Sequence, residues 1–145
     1  MKKLLVLVLA AAAALPASAA GSAEATPLTL TLRKSAYGAI LFDGRGRVLY
    51  SFTRDVRGKP SRCYGDCAVA WPVYYAPKSG LTVGRGVQRS LLRTTKRRDG
   101  RLQVTYNGWP LYYYAHEKAG EVKCHNVRTH GGLWRVMRAN GAAAP

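Results

Sequence analysis

Short segments in which apolar and polar residues alternate recur along the chain from Leu28 onward, and they predict β-strands. Leucine occupies every second position from 28 to 32, so one face of that segment is apolar. Only one helical turn is predicted, at 66–70, with Asp66 as a candidate cap and Pro72 ending it. Further strands are predicted at 39–42, 47–52, 73–75, 91–95, 102–106, 109–114 and 133–137.

Two pairs of these strands are joined by strong turn signals. Asp43-Gly44 lies between 39–42 and 47–52, and Asn107-Gly108 lies between 102–106 and 109–114. Asp-Gly and Asn-Gly favour hairpins because a tight primed turn needs positive φ angles, which these residues adopt at low cost. We therefore predict two β-hairpins.

The two predicted hairpins are copies of each other at an offset of 62 residues. Tyr50 then matches Tyr112, and one residue of slippage later Trp71 matches Trp134. Because a unit this short cannot bury its own sheet face, the two copies are expected to share one core. The prediction is a single all-β domain over 28–138. It is a small sandwich or partly closed barrel built from two pseudo-repeated β-hairpin units, at about 37–75 and 99–137.

The N-terminus has the three parts of a secretory signal peptide. Lys2-Lys3 precedes an apolar run from Leu4 to Leu15, and small residues follow Pro16. Cleavage after Ala19 makes 1–19 the signal peptide and 20–27 a flexible segment, and 139–145 is predicted to be a flexible tail. No apolar run remains and no cysteine precedes Cys63. We therefore expect an exported, soluble protein without a transmembrane segment or lipid anchor, in the periplasm or outside the cell.

The charge is strongly one-sided, with 23 Lys and Arg against 7 Asp and Glu and a formal net charge of +16. No Walker loop, dinucleotide fingerprint or HExxH helix is present, which excludes the common nucleotide enzymes and zinc peptidases from the leading hypotheses. A cationic surface favours an anionic envelope polymer or an acidic protein as partner. Export argues against nucleic acid as the physiological ligand. The candidate anion-binding residues lie in two dense runs: Arg54, Arg57, Lys59 and Arg62, and Arg93, Lys96, Arg97, Arg98 and Arg101.

Linked motifs give the chain a resemblance to a known family. Tyr50–Asp55 fits Y-x-[FWY]-x-x-D and Cys63–Pro72 fits C-x-G-x-C-A-x-x-W-P, followed by Thr105–Tyr112 and Gly131–Trp134. In this order they resemble the bacterial secreted repeat of unknown function family, often described as lipoproteins with the first motif. The resemblance covers about 37–137 and implies an envelope or extracellular location without implying an activity. The motif residues in the two copies are Tyr50, Phe52 and Asp55, and Tyr112, Tyr114 and Glu117.

The acidic residue that ends each motif copy has two interpretations. Asp55 follows the end of a strand, where an acid most often accepts backbone N–H bonds at a turn, and Glu117 keeps the charge in the second copy. Alternatively, the pseudo-symmetry brings Asp55 and Glu117 together as an acid/base pair that cleaves glycans. That second interpretation requires a cleft between the two carboxyl groups. The structural role is therefore the prediction.

The cysteine content is odd, so at least one thiol has no partner within the chain. Cys63 and Cys67 are separated by three residues, and the oxidising compartment of an exported protein favours a structural disulfide between them. A redox-active dithiol is disfavoured because such pairs typically have two intervening residues and a thioredoxin-like context.

The dipeptide Cys124-His125 departs from the pattern of the family. Cys124 is a candidate free thiol whose thiolate Lys123 and His125 stabilise. It is also a candidate copper or zinc ligand together with His125, His116 or His130, although the spacing matches no established zinc pattern. Two other interpretations are a disulfide-linked homodimer through Cys124 and an inert, partly buried cysteine.

Together these features predict a non-catalytic envelope module that binds an anionic polymer or a partner protein and needs no cofactor. The alternative is a thiol protein, a copper- or zinc-binding protein or a redox-partner protein that uses Cys124 and His125. The third hypothesis is a glycan hydrolase that uses Asp55 and Glu117. No residue is assigned a catalytic role under the leading hypothesis.

Overall fold

The computed structural model describes residues 29–145, so the predicted signal peptide, the segment 20–27 and Leu28 lie outside the described residues. The described part is nearly all β, with one helix and one 3-10 turn at Arg89–Leu91. Its elements are β1 (Thr31–Ser35), β2 (Gly38–Phe42), β3 (Tyr50–Phe52), α1 (Asp66–Ala70), β4 (Leu92–Lys96), β5 (Leu102–Tyr106), β6 (Trp109–Pro110), β7 (Val127–Thr129) and β8 (Gly132–Val136).

The strands form three small antiparallel sheets. The first contains β1 and β2, the second has the order β3-β8-β7, and the third has the order β4-β5-β6. The sheet of β1 and β2 in the first repeat corresponds to that of β4 and β5 in the second, because Arg33 pairs with Ile40 and Thr95 with Gln103 at near-equivalent positions. The arrangement is sandwich-like and built from two repeated units, as the sequence predicts, and it is not a closed barrel.

The Asn107-Gly108 turn confirms the clearest hairpin signal in the sequence. Both residues have positive φ angles, 50° and 78°, as a two-residue primed turn requires. The turn at Asp43 has a different support. The Asp43 Oδ1 atom accepts hydrogen bonds from the backbone N–H groups of Arg45 and Arg47, at 2.9 and 2.8 Å.

Both predicted hairpins form next to their turns, but the pairing changes further along the strands. Around Asn107-Gly108, β5 pairs with β6, with Thr105 opposite Pro110 and Tyr106 opposite Trp109. β2 pairs mainly with β1, and it meets the following strand only where Phe42 bridges to Val48. β3 instead pairs with β8, and Tyr50 exchanges backbone hydrogen bonds of 2.9 and 3.0 Å with Tyr112. Beyond the first residues after each turn, the chain therefore pairs with the other repeat. Because Tyr50 and Tyr112 are equivalent positions, the pseudo-twofold relation between the repeats passes through this bridge.

The central strands are buried on both faces, and this divides the core into two clusters. Successive residues of β2 show the division, since Ile40 and Phe42 lie in one cluster and Leu41 in the other. Tyr50 and Leu49 are divided in the same way. This two-sided burial explains why apolar residues occupy successive positions in β2 and at Leu49-Tyr50 instead of alternating with polar ones.

Two stacked tryptophans lie at the centre of the first cluster. The rings of Trp71 and Trp134, which are equivalent positions of the two repeats, lie 3.9 Å apart and 3° from parallel. Tyr50 meets Trp71 edge-on at 5.3 Å, and Tyr112 meets Trp134 edge-on at 5.1 Å. Each motif tyrosine therefore packs on the tryptophan of its own repeat, and the tryptophan stack joins the two repeats.

The helical turn forms where it is predicted, but its cap differs. The N-cap residue is Gly65, with φ 56°, and Asp66 is the first helical residue without a capping hydrogen bond. Cys63 and Cys67 form the predicted disulfide across the start of this turn. Among residues 29–145, no helix is long and apolar enough to cross a membrane.

The C-terminal tail packs on the domain, although the sequence predicts it to be flexible. Ala143 bridges to Met137, and the backbone N–H of Ala144 donates to the Val136 carbonyl at 2.8 Å. Ala144 is 1% exposed, because its methyl side chain fits against the first core cluster. Small residues, which indicated a loose end in the sequence, here allow close packing.

Candidate functional site

Both motif acids are buried, and each is bound by the tyrosine of the other repeat. The Tyr112 hydroxyl donates to Asp55 Oδ2 at 2.6 Å, and the Tyr50 hydroxyl donates to Glu117 Oε1 at 2.7 Å. Asp55 is 4% exposed and Glu117 is 7% exposed. We call these the crossed Tyr–carboxyl pairs. They couple the two repeats with side chains, close to the place where the Tyr50–Tyr112 bridge couples them with backbone.

Each motif acid also fixes the loop that follows it. Asp55 accepts the backbone N–H of Arg62 at 2.7 Å, and Glu117 accepts the backbone N–H of Lys123. The Ser61 hydroxyl adds a 2.6 Å hydrogen bond to the Tyr112 hydroxyl. The acids therefore have the turn-anchoring role that the sequence predicts, and they act between repeats, which the sequence did not indicate.

This environment opposes acid/base catalysis by the two acids. Burial is the largest cause that raises the pKa of Asp55 and of Glu117, and it outweighs the hydrogen bonds that lower them. Both acids already accept two hydrogen bonds from the protein. Neither acid lines the surface cavities described below. A substrate would have to displace the crossed tyrosines to reach either carboxyl group.

The raised pKa values predict how stability depends on pH. A carboxyl group whose pKa is higher in the folded protein contributes stability that is fully present below its unfolded pKa, near about 4, and lost as pH rises through its folded pKa. We therefore expect the double variant Asp55→Asn/Glu117→Gln to gain stability relative to the native chain as pH rises from about 4 to 7. Urea unfolding at a series of pH values measures this difference.

The difference in stability between the native protein and the double variant isolates the contribution of Asp55 and Glu117. The exposed Asp99 and the half-buried Glu121 have lowered pKa values because of hydrogen bonds from Arg101 and Lys123, and they make the opposite contribution to stability in the native and the variant protein alike. A stability difference that is constant over this pH range would show that burial does not raise the two pKa values.

Comparison with known proteins agrees with the repeat and the motif. The family described as a secreted repeat of unknown function matches residues 31–74 and 93–138, one stretch for each repeat. The chain belongs to this family. No curated protein and no solved structure matches the chain. Membership supports export of this secreted repeat protein.

The surface of the secreted repeat protein carries almost no free negative charge over the described residues. These contain 21 Lys and Arg and six acids. Asp43, Asp55 and Glu117 are buried, and Asp43 accepts a 2.9 Å hydrogen bond from the Tyr113 hydroxyl. Asp99 pairs with Arg101 and Glu121 with Lys123, each at 2.7 Å, so the exposed Asp66 is the one acid of the six that is neither buried nor paired. The fold therefore leaves the cationic side chains on a surface whose own carboxylates are largely hidden or paired.

Three of the predicted anion-binding residues surround one depression, which we call the basic groove. Arg57, Lys59 and Arg93 line two adjoining cavities of about 480 and 190 Å³, which share Arg93 and the glycines Gly58 and Gly108. All three basic side chains are exposed. The groove is also lined by neutral hydrogen-bonding residues: Ser90, Thr94, Thr95, Thr105 and Asn107.

The positive-φ turn of the second repeat shapes the basic groove. The Gly58 backbone N–H donates to the Gly108 carbonyl at 2.8 Å, and a Cβ at Gly108 would lie 2.9 Å from that nitrogen. The Arg57 Nε–H donates to the Asn107 carbonyl at 2.7 Å, and its guanidinium also bonds to the Asn107 side chain. The Asn107 amide in turn donates to the Gly141 carbonyl at 3.2 Å. Arg57 is thus held in place before any ligand arrives.

The equivalent turn of the other repeat is covered by an arginine side chain. There the matching contact is a 2.8 Å hydrogen bond from the Gly120 N–H to the Gly46 carbonyl. The Arg33 guanidinium covers this contact, because a Cβ at Gly46 would lie 2.7 Å from an Arg33 nitrogen. The same contact between repeats is therefore open to a ligand on the side of Gly58 and Gly108 and covered on the side of Gly46 and Gly120.

The remaining predicted anion-binding residues divide into engaged and free ones. Arg101 pairs with Asp99 and stacks on Tyr75 at 3.9 Å, and Arg98 stacks on Tyr64 at 4.4 Å. Arg54 donates to the His130 carbonyl at 3.0 Å. The side chains of Arg62 and Lys96 are exposed.

Arg97 corrects the prediction, because it lies inside the protein and is not accessible to a polymer. It is 5% exposed and donates to Gln103 Oε1 at 2.9 Å and to the Cys63 carbonyl at 2.8 Å. Its Nε atom has no partner among the described residues. Charge alone predicted a surface position, whereas Arg97 is a buried member of the polar network around Asp55.

The histidines do not gather around Cys124. Among residues 29–145, no group of three or more His, Cys, Asp or Glu side chains is placed to hold a metal ion. His125 uses both ring nitrogens, with Pro145 O at 2.7 Å and the Val136 N–H at 3.2 Å. His116 packs against Tyr114, and His130 bonds to its neighbour Thr129.

Cys124 is the repeat equivalent of Cys63, a relation that sequence reasoning missed. Cys63 follows Arg62, whose N–H binds Asp55, and Cys124 follows Lys123, whose N–H binds Glu117. An offset of 61 would have revealed this match. Cys124 has no disulfide partner within residues 29–145, and burial raises its pKa, outweighing the effect of Lys123. Cys124 is therefore a free thiol, as the sequence predicts, but its burial and raised pKa oppose the activated thiol.

We expect Cys124 to react slowly in the folded protein. Its side chain is buried, and its raised pKa favours the thiol over the nucleophilic thiolate, so iodoacetamide should label it about tenfold or more slowly than in urea. Mass spectrometry measures the two rates, and Cys124→Ala provides the unlabelled control. Equal rates in the two conditions would contradict the buried position.

Proposed function

We propose that this secreted repeat protein is a non-catalytic module that binds an anionic polymer of the cell envelope through the basic groove. The observation that carries the proposal is the excess of positive over negative charge on the surface. Buried or paired acids leave Arg57, Lys59 and Arg93 together at a depression of suitable size. A cationic surface of this kind attracts polyanions and raises their local concentration.

The geometry of the groove supports a linear polymer in particular. Two adjoining cavities form an open depression rather than an enclosed pocket, so a chain can enter and leave at its ends. Arg57, which Asn107 holds in place, loses little side-chain entropy when an anion binds. The hydroxyl groups along the groove add neutral hydrogen bonds to anion oxygens.

The same proposal assigns the protein to the periplasm or the outside of the cell, without a lipid anchor. The signal-peptide pattern at 1–19 supports export. The first cysteine of the sequence is Cys63, and it is used in the disulfide with Cys67. It therefore leaves no thiol for lipid attachment near the expected cleavage site.

Binding of fluorescently labelled inorganic polyphosphate tests the proposal. We expect the triple variant Arg57→Gln/Lys59→Gln/Arg93→Gln to bind about tenfold or more weakly than the native protein, because charge-assisted contacts contribute about 1.5–3 kcal/mol each. The control is Lys34→Gln/Arg45→Gln/Arg85→Gln, which removes the same charge from exposed positions elsewhere. Equal weakening in both variants, or no binding by the native protein at low salt, would contradict the proposal.

A further inference from the structure

Another cavity, separate from the two that form the basic groove, borders the same Asn107-Gly108 turn. It has a volume of about 150 Å³, and Trp109 forms one of its walls. Trp109 directly follows Gly108, which lines the basic groove. We call this depression the Trp109 cavity. At about this volume a cavity holds one six-membered ring, the size of benzene.

The Trp109 cavity is lined partly by apolar and partly by polar residues. The half-buried Trp109 and Ala143 supply the accessible apolar surface, because the side chains of Phe52 and Met137, which border the cavity, are each 1% exposed. Thr53 supplies a hydroxyl group whose oxygen accepts the Leu133 N–H at 2.8 Å and whose hydrogen is available to a ligand, whereas the buried Ser51 hydroxyl donates to the Arg135 carbonyl at 3.3 Å. A pyranose ring has the matching character, with an apolar C–H face and hydroxyl groups around its edge. Aromatic side chains pack on such faces while polar groups bind the edge.

Arg135 adds a positive charge to this cavity, and it is held in place. Its Nε–H donates to Asn126 Oδ1 at 3.1 Å, which leaves the two terminal nitrogens free. A guanidinium presented in this way binds a carboxylate with two parallel hydrogen bonds. Arg135 is thus held in the same way as Arg57, because an asparagine accepts a hydrogen bond from the Nε–H of each arginine beside a cavity.

From this combination we infer that the Trp109 cavity binds one hexuronate residue of an acidic polysaccharide, whose carboxylate contacts Arg135. The inference rests on the proposed function, and it narrows the anionic polymer to a carboxylated glycan. Neighbouring sugar residues then pass over the Asn107–Trp109 turn to the basic groove. A polyphosphate has no ring for the aromatic wall, so it uses the basic groove alone.

Calorimetric titration with galacturonate oligomers and with inorganic polyphosphate of equal charge tests the inference. At about 0.15 M salt, where exposed charges are screened beyond about 8 Å, the galacturonate oligomer should bind more tightly. We expect Arg135→Gln to weaken galacturonate binding about tenfold. Polyphosphate binding should change no more than in Arg128→Gln, which removes the same charge from an exposed position on β7.

A second variant addresses the aromatic wall. Trp109→Leu keeps apolar packing against the second core cluster and removes the flat ring, and it should also weaken galacturonate binding about tenfold. If both variants leave galacturonate binding unchanged while polyphosphate still binds the basic groove, the inference fails and the proposed function survives. If neither polymer binds the native protein, both fail.

Discussion

Trp134→Ala is expected to lower the free energy of unfolding by about 3–5 kcal/mol, since the loss of a fully buried tryptophan leaves a large cavity. Trp134 is 0% exposed and contacts Trp71, Phe52 and Tyr112 with ring separations of 3.9, 4.0 and 5.1 Å. Its removal therefore takes away the tryptophan stack that joins the two repeats and also leaves a cavity in the first core cluster. Urea unfolding followed by circular dichroism measures the change.

Two further variants make this prediction specific. Trp134→Phe keeps a ring in the stack and should cost less than half as much as Trp134→Ala. Val69→Ala on α1 is the surface control, because Val69 is 74% exposed, and it should change stability by about 0.5 kcal/mol or less. A Trp134→Ala cost as small as the control would contradict a shared core.

The crossed Tyr–carboxyl pairs predict a coupling between residues of different motif copies. Asp55→Ala should cost about 3 kcal/mol, because the Arg62 N–H and the Tyr112 hydroxyl lose a buried charged acceptor. In a double-mutant cycle with Tyr112→Phe, the interaction energy should be about 1–3 kcal/mol. Unfolding of the native, single and double variants measures this energy.

The matched control is the cycle between Asp55→Ala and Tyr50→Phe, which belong to the same motif copy. These side chains share no hydrogen bond, since Tyr50 donates to Glu117, so their interaction energy should be below about 0.5 kcal/mol. An interaction within one copy larger than the crossed one would show that the acids serve their own repeat. The whole account of the motif would then need revision.

Local signals predicted local structure well. Asn107-Gly108 formed its turn because the φ requirement depends on the two residues themselves. The helical turn and the Cys63–Cys67 disulfide also depend on short separations. The repeat offset correctly indicated two equivalent units, because the same residues recur in the same order.

Long-range partners could not be predicted in the same way. Nothing in the alternation of β3 shows that it pairs with β8 rather than β2, since either partner buries the same face. The crossed Tyr–carboxyl pairs follow from that exchange. Arg97 was misplaced for a related reason, because the partners that allow its burial, Gln103 and the Cys63 carbonyl, are distant in sequence.

The candidate site was partly foreseen. Charge density singled out Arg57, Lys59 and Arg93, which the structure brings together, but the shape of the basic groove depends on the close approach of Gly58 and Gly108 across the repeats. Arg135 and Trp109 were not foreseen as a site. Each is an ordinary strand residue in the sequence, and only the packing of β3, β8 and the C-terminal tail places them at one cavity.

The salt dependence of polyphosphate binding tests the central claim most directly. A protein that neutralises several phosphates loses affinity with a slope, on logarithmic axes, proportional to the number of contacts, and each lost contact lowers that slope by about one. We predict that Arg57→Gln/Lys59→Gln/Arg93→Gln lowers the slope by about three, while Lys34→Gln/Arg45→Gln/Arg85→Gln lowers it by less than one. Equal slopes for the two variants would show that net charge, rather than the basic groove, binds the polymer.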